Sequence, residues 1–177
     1  GKSETSFSVV RYGNVAGSRG SIIPFYKKLV TEKAKALPIT DKRMTRFWLK
    51  MDQAVDLVLT ALKTMEGGEL FVKKIPSMKI TDLAKAIAPD IQIEEVGIRP
   101  GEKIHEQMIS IDDSRYTLEY KDYFIIQPQF TWWDSRKGKN RGKAVGEGFV
   151  YDSGTNSQWL NVTQIKKLLK ELDVQED

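Results

Sequence analysis

The sequence predicts a mixed α/β fold, on three observations. Short β-branched and aromatic segments alternate with segments whose apolar residues recur every three or four positions, the pattern of strands exchanged with amphipathic helices. A glycine-bearing turn joins the first such strand to the first such helix. The well-defined strands number only about four, half the set of a doubly wound sheet.

Taken in order, residues 7–12 (FSVVRY) read as a short buried strand ended by Gly13. A helix follows, opening between Ile22 and Pro24 and running through PFYKKLVTEKAKA, with Phe25, Leu29 and Val30 on one face and lysines on the other. Residues 35–42 read as a turn containing a short extended piece, and RFWLK as a strand. Residues 51–65 form the best helix pattern, with Val55, Val58, Leu59 and Leu62 at helical spacing, Asp52 in the first turn and Gly67-Gly68 beyond the end. A strand at 69–73 precedes a helix at 81–88, capped by Thr81 and stopped by Pro89. IQIEEVG alternates as a strand does, and YTLEYKDYFIIQP reads as a hairpin. Residues 135–148 read as a solvated basic loop, and TQIKKLLKEL as a terminal helix capped by Thr163, with Ile165, Leu168, Leu169 and Leu172 as its stripe.

Composition narrows the function classes. The 177 residues suffice for a sizeable core, and 40% hydrophobic residues argue for a folded protein. The net charge of +4 is too small and dispersed to imply nucleic acid, though it suits an anionic small ligand. The basic stretch SRKGKNRGK, preceded by Trp132 and Trp133, is the one feature that would support single-strand binding, and five charges in a glycine-rich loop are weak support. Zero cysteines and one histidine remove thiolate and most histidine metal sites and are compatible with a reducing cytoplasm. No apolar run approaches the roughly 18 residues of a membrane span. The chain opens Gly-Lys-Ser without a methionine, as a processed protein or a piece of a longer one does.

Three clusters carry chemistry. The first, GNVAGSRGSIIP, lacks the Gly-x-Gly-x-x-Gly spacing and the following acidic residue of a dinucleotide fingerprint, and no Gly-Lys-Ser/Thr follows its glycines. It offers Asn14, Ser18, Arg19, Ser21 and backbone N–H groups at a helix start, either as an anion site or as a plain strand-to-helix turn. The second, IRPGEKIHE, sets Arg99, Glu102, Lys103, His105 and Glu106 about a Pro-Gly turn, an acid beside a fixed arginine suited to a sugar hydroxyl and a phosphate, or simply a charged surface turn. The third, LPITDKRMTRFW, places Thr40, Arg43 and Arg46 ahead of aromatics, with a loop and core strand as its alternative.

RYGNVAGSRGSIIPFYKKLV, LPITDKRMTRFW, KIPSMKITDLAKAIAP and VGIRPGEKIHEQMI together resemble the C-terminal half of the inverting UDP-N-acetylglucosamine 4,6-dehydratases. These are extended short-chain dehydrogenases/reductases of polysaccharide and pseudaminic acid biosynthesis. The resemblance runs from about Ser8 to Pro128 and resumes in EGFVYDSGTNSQWLNVTQIKKLL. It implies an α/β fold comprising the C-terminal part of an extended short-chain dehydrogenase Rossmann fold plus the smaller substrate-binding domain. Residues 1–128 would be the end of the Rossmann sheet interleaved with that domain, and 129–177 a C-terminal extension.

For the whole enzyme the resemblance implies a lyase in which bound NADP takes the hydride from C4 of the sugar, water leaves across C5 and C6, and the hydride returns to C6. Reprotonation at C5 from the opposite face inverts that centre. The family's dinucleotide fingerprint and its Tyr-x-x-x-Lys pair lie in a half this sequence does not contain, so no catalytic residue is expected here and the chain alone is expected to be inactive. Half an open sheet would expose apolar surface, so self-association is expected too. The complete enzyme is expected to be a cytoplasmic homo-oligomer acting on UDP-N-acetylglucosamine or a related nucleotide sugar, without nucleic-acid or membrane partners.

By the resemblance, Asn14 contacts the substrate and Val15 lies near the nicotinamide end of the cofactor. Arg19, Gly20, Ser21 and Ile22 hold the diphosphate region, Thr40 sits near the uracil or ribose, and Arg99 and Glu102 clamp diphosphate and ribose. His105 matches the GEKxHE form of the inverting branch, and its alternative reading is a buried or partly buried structural histidine. The rivals are a retaining dehydratase or dehydratase/5-epimerase on another nucleotide sugar, and a stand-alone nucleotide-sugar-binding module.

Overall fold

The first strand forms over Val9–Arg11 (β1) and the first helix over Ile22–Thr31 (α1). The computed structural model describes residues 5–18, 20–130 and 142–173, which fall into two compact units, each assembled from three separated stretches of chain.

The first unit takes the described residues of Gly1–Tyr12, Lys50–Lys74 and Gln107–Asp152. Its sheet has β5 (Leu70–Lys73) between β1 and β10 (Tyr123–Ile126), followed by β9 (Thr117–Glu119) and β11 (Lys143–Ala144). The sheet is mixed: β1 runs parallel to β5, with Val10 opposite Phe71, whereas β10 runs antiparallel to it, with Ile125 opposite Phe71. The expected hairpin is thus β9–β10. A separate antiparallel pair joins β8 (Gln107–Ile109) to β12 (Tyr151–Asp152).

Helix α2 (Met51–Thr64) lays Ala54, Leu57 and Ala61 on this sheet, where Leu57 and Ala61 cluster with Phe71 and Ile125. Three expectations change here. Strand β1 is an edge with Val9 57% exposed, not a buried strand. On α2 the aliphatic positions that define the helical pattern, Val55, Val58, Leu59 and Leu62, face outward, and the small residues lie inward. Within the expected loop of residues 135–148, Lys143–Ala144 is a strand and residues 147–148 form a turn, while its first part, together with Trp132 and Trp133, falls in residues 131–141, outside the described residues. Glu69 is fully buried beside the glycines that follow α2, its carboxylate accepting from the N–H groups of Glu66 and Gly67 and from Ser8 Oγ, so each acceptor is matched.

The second unit takes Gly13–Leu49, Ile75–Glu106 and the described residues of Ser153–Asp177. Here β4 (Thr45–Leu49) lies between β2 (Asn14–Val15, parallel) and β6 (Ser77–Lys79, antiparallel). A second, parallel pair joins β3 (Ala36–Ile39) and β7 (Gln92–Glu95), so the expected short extended piece is a full strand. Helices α1, α3 (Ile80–Ile87) and α4 (Val162–Asp173) close one core, with Ile23, Tyr26, Leu37, Trp48, Leu83 and Ile165 among its buried members.

The helix ends differ from expectation for local reasons. Helix α1 stops at Thr31 because Lys33 adopts φ 56°; its N–H reaches Val30 O at 3.1 Å and that of Ala34 reaches Leu29 O at 3.0 Å, the two bonds of a Schellman motif. Its buried residues are Ile23 and Tyr26, whereas Phe25 is 48% exposed. A left-handed lysine is costly where glycine is not, so Lys33→Gly is expected to stabilise the chain by about 0.5–1 kcal/mol. Urea denaturation midpoints compare the two. Helix α3 begins after Lys79, so Thr81 is inside it and is no cap. Helix α4 is capped by Asn161, not Thr163: Asn161 Oδ1 accepts from Gln164 N–H and Gln164 Oε1 from Asn161 N–H, both at 2.9 Å, a reciprocal capping box.

Candidate functional site

Gly13 has to be glycine, because a Cβ there would lie 2.5 Å from Phe47 Cβ. That close approach seats β2 beside β4, with Asn14 opposite Trp48 and Val15 opposite Leu49. The chain then turns through Gly17 and Gly20, at φ 77° and 75°, with Ala16 N–H on Leu49 O at 2.9 Å and Ser21 N–H on Ser18 O at 3.1 Å. Ser21 is extended and occupies the N-cap of α1 without a side-chain bond, and no acidic residue occupies the first turn. The helix dipole at this end is therefore uncompensated by protein charge.

The second cluster is a tight turn. Glu102 N–H donates to Arg99 O at 3.0 Å, Pro100 and Gly101 occupy the central positions, and Gly101 has φ 85°, as a type II turn requires. Arg99 N–H returns to Glu102 Oε2 at 3.1 Å.

The third cluster is pinned by Asp41. Its carboxylate, 5% exposed as a residue, accepts from Arg43 N–H at 2.7 Å, Nε at 3.0 Å and Nη2 at 2.7 Å, which folds residues 41–44 into a turn and sets Thr40 Oγ1 against Met44 Sδ at 3.3 Å. The Arg43 side-chain bonds, then its N–H, lower the Asp41 carboxyl to about 2. A carboxylate held below its unfolded value near 3.8 adds stability above that value, and loses it as the pH falls through the folded one. Asp41→Asn is accordingly expected to melt below the unmodified chain at pH 7, with the gap closing between about pH 4 and pH 2. Melting temperatures measured across that range check it.

These three clusters meet at one cleft of about 500 Å3 in the second unit. Asn14, Val15, Gly20, Ser21, Ile22, Thr40, Arg99 and Glu102 all line it, drawn from three segments separated along the chain. Arg19 lies outside the described residues. The volume is that of a small-molecule site. A second depression of about 490 Å3, among α1, α3 and α4, is lined by Lys27, Lys166 and Lys170 over aliphatic residues and contains none of the sequence-selected positions.

The cleft also holds Arg46, singled out with the third cluster, and two residues of the same stretch that the sequence reading did not single out, Met44 and Trp48. Met44, Arg46 and Trp48 line it together, which follows from strand alternation: every second side chain entering and along β4 points the same way. Arg46 is fixed by Nη1 donating to Thr45 O at 2.7 Å and to Ile104 O at 3.2 Å, leaving a partly exposed guanidinium in the wall. Period-two spacing in MTRFW was the available signal; it was outweighed by the aromatic residues, which suggest core. Tyr26, also in the wall, donates its hydroxyl to Pro38 O at 2.8 Å, and burial pushes its pKa up to about 12, so it remains a neutral donor. Ser21 Oγ and Trp48 Nε1 are buried polar atoms without a partner among the described residues, a reserve of hydrogen-bonding capacity in the wall.

His105 is not among the lining residues. Its Nδ1 lies 2.8 Å from Thr45 Oγ1, which meets Ser153 Oγ at 2.7 Å, and its ring lies so close to Gly154 that a Cβ there would approach within 2.7 Å. The residue is exposed, so the expectation of a buried or partly buried histidine does not hold, though these contacts are those of a structural one. Among the described residues no group of three or more acidic or histidine side chains is placed to hold a metal ion, and no helix is long and apolar enough to cross a membrane.

Alternating strands and helices with parallel pairs, and a cleft at a strand-to-helix glycine turn, define a mixed α/β chain of the extended short-chain dehydrogenase type. The chain belongs to the polysaccharide biosynthesis protein family, whose pattern matches residues 1–128. It is 47% identical over 175 residues to a UDP-N-acetylglucosamine 4,6-dehydratase (inverting) of Campylobacter jejuni, covering 96% of this chain and 52% of that protein. It is 37% identical over 186 residues to a UDP-glucose 4-epimerase of Rickettsia conorii, covering 98% and 52%. An X-ray structure of Pen from Bacillus thuringiensis superposes with a TM-score of 0.80 at 32% identity, covering 97% of this chain and 51% of that one. The chain thus spans about half the length of these relatives.

Proposed function

We propose that the cleft binds a UDP-sugar and that the chain is the substrate-binding part of an inverting, NADP-dependent UDP-N-acetylglucosamine 4,6-dehydratase of the cytoplasm. The observation that carries the proposal is the convergence of eight selected residues from three separated segments on one cleft, with Arg46 and Arg99 in its wall. In this assignment Arg99 and the start of α1 face the diphosphate, Glu102 accepts from ribose hydroxyls, Thr40 lies at the uridine end and Asn14 at the sugar. The higher identity to the dehydratase than to the epimerase favours the former chemistry.

The residues of this chain do not by themselves fit NADP. Only Val15 is assigned to it, and an aliphatic side chain offers the dinucleotide phosphates neither charge nor donor, so no step is derived through the cofactor. Calorimetric titration of the 177-residue chain tests the assignment. UDP-N-acetylglucosamine is expected to bind saturably and NADP weakly or not at all; micromolar NADP binding, or no UDP-sugar binding by the folded chain, contradicts it. For the full-length protein, inversion at C5 followed by NMR separates the inverting dehydratase from retaining and epimerising alternatives.

A further inference from the structure

Glu106 is absent from the cleft wall, yet its carboxylate is held from several sides in the second unit. Phe47 N–H donates to Oε2 at 3.1 Å, Arg46 Nε stands 3.7 Å from Oε1, and the residue's own N–H donates to buried Ser153 Oγ at 2.8 Å. The remaining contact is with Asn14. In the amide orientation that satisfies both groups, Asn14 Nδ2 donates to Glu106 Oε1 at 3.0 Å and to Oε2 at 3.1 Å. The opposite orientation would set a carbonyl oxygen against a carboxylate, two acceptors with no proton between them.

Resting on the nucleotide-sugar assignment above, we propose that Glu106 is a positioning residue for substrate recognition. It engages the Asn14 amide nitrogen and so presents Asn14 Oδ1 as a pure acceptor for a hydroxyl or acetamido N–H on the sugar. An asparagine free to turn over would offer either a donor or an acceptor; one locked by a carboxylate selects sugars that donate at that point. The same carboxylate stands 3.7 Å from Arg46 Nε, but the Arg46 guanidinium is held independently by the Thr45 and Ile104 carbonyls, so the positioning acts through Asn14. Partial burial pushes the Glu106 pKa above the ordinary value, with Phe47 N–H and Arg46, 3.7 Å away, pulling the other way.

Glu106→Gln tests the proposal, since it keeps the shape and turns one of the two acceptors into a donor. In the unliganded chain the Asn14 side-chain amide signals in 15N–1H spectra are expected to move in this variant. By calorimetry, affinity for UDP-N-acetylglucosamine is expected to fall about tenfold, while that for UDP changes less than about twofold, because UDP lacks the sugar that Asn14 meets. In an Asn14→Ala background Glu106→Gln is expected to add nothing, the non-additivity of two residues acting as one. Unchanged UDP-N-acetylglucosamine affinity, an equal loss for UDP, or additive effects in the double variant overturns the proposal. If the unmodified chain binds no UDP-sugar, the nucleotide-sugar assignment falls and takes the substrate half of the proposal with it. The Asn14 amide signals tell the two failures apart, because they depend on Glu106 with or without ligand; should they not move in Glu106→Gln, the positioning contact itself is refuted. Glu106→Asp, which keeps the charge but shortens its reach, is expected to repeat the Gln result, and the thermal melt of each variant verifies folding.

Discussion

Truncation of Phe71 to alanine is expected to cost about 3–5 kcal/mol and to abolish the folded first unit under ordinary conditions. Phe71 has no solvent exposure and sits in the middle of β5, with a neighbouring strand on each side and the small inner face of α2 across it. Leu57, Ala61 and Ile125 surround it, and its ring lies 6.1 Å from that of Tyr123. Ala61 cannot extend to fill the cavity, and β5 is held in register from both edges, so collapse is restricted. Phe71→Leu keeps most of the volume and is expected to cost less than about 1.5 kcal/mol. Urea denaturation followed by tryptophan fluorescence and circular dichroism measures both. A loss under 1 kcal/mol for the alanine variant would mean that the cluster under α2 is not the core of that unit.

The second large effect is on binding. Arg99→Ala is expected to weaken UDP-N-acetylglucosamine and UDP alike, by about 10–100-fold, the worth of a charge-assisted contact to a phosphate. Arg99 sits at the first position of the Pro-Gly turn, its backbone clamped to Glu102 on both sides, so the side chain leaves a fixed point on the cleft wall. Arg99 is exposed, and its removal should leave the melting temperature nearly unchanged. Arg99→Lys keeps the charge without the two-pronged geometry and is expected to recover only part of the affinity. Titration at two salt concentrations separates a phosphate contact from a structural effect, because only the former weakens the difference between variant and unmodified chain as salt rises.

The parts of the fold that were legible in the sequence are those governed by local pattern. Helices α2 and α4, the β9–β10 hairpin and the strand at TRFWL follow from period and turn chemistry alone. Which face of α2 is buried did not follow, because a hydrophobic stripe reports the need for cover and not its location: Ala54, Leu57 and Ala61 are the buried positions, and Val55, Val58, Leu59 and Leu62 remain outward. The end of α1 was misread because Lys33 does the work usually given to glycine, and the α4 cap because Asn161 and Gln164 cap as well as Thr does. At the site, the turns around Gly20 and Gly101 were visible as glycine punctuation. Glu106 was visible as a charged member of IRPGEKIHE, but its contacts with Asn14 and Phe47 were not, since they span 92 and 59 residues and no short motif records them.

The central claim is that the cleft of the second unit is a UDP-sugar site, and amide chemical-shift mapping of the 15N-labelled chain during titration with UDP-N-acetylglucosamine tests it most directly. Saturable shifts are expected at Asn14, Gly20, Ser21, Thr40, Arg99 and Glu102 together, with the α1–α3–α4 depression around Lys166 and Lys170 unperturbed. Shifts confined to that depression, or none in a chain whose spectrum is that of a folded protein, would contradict the claim.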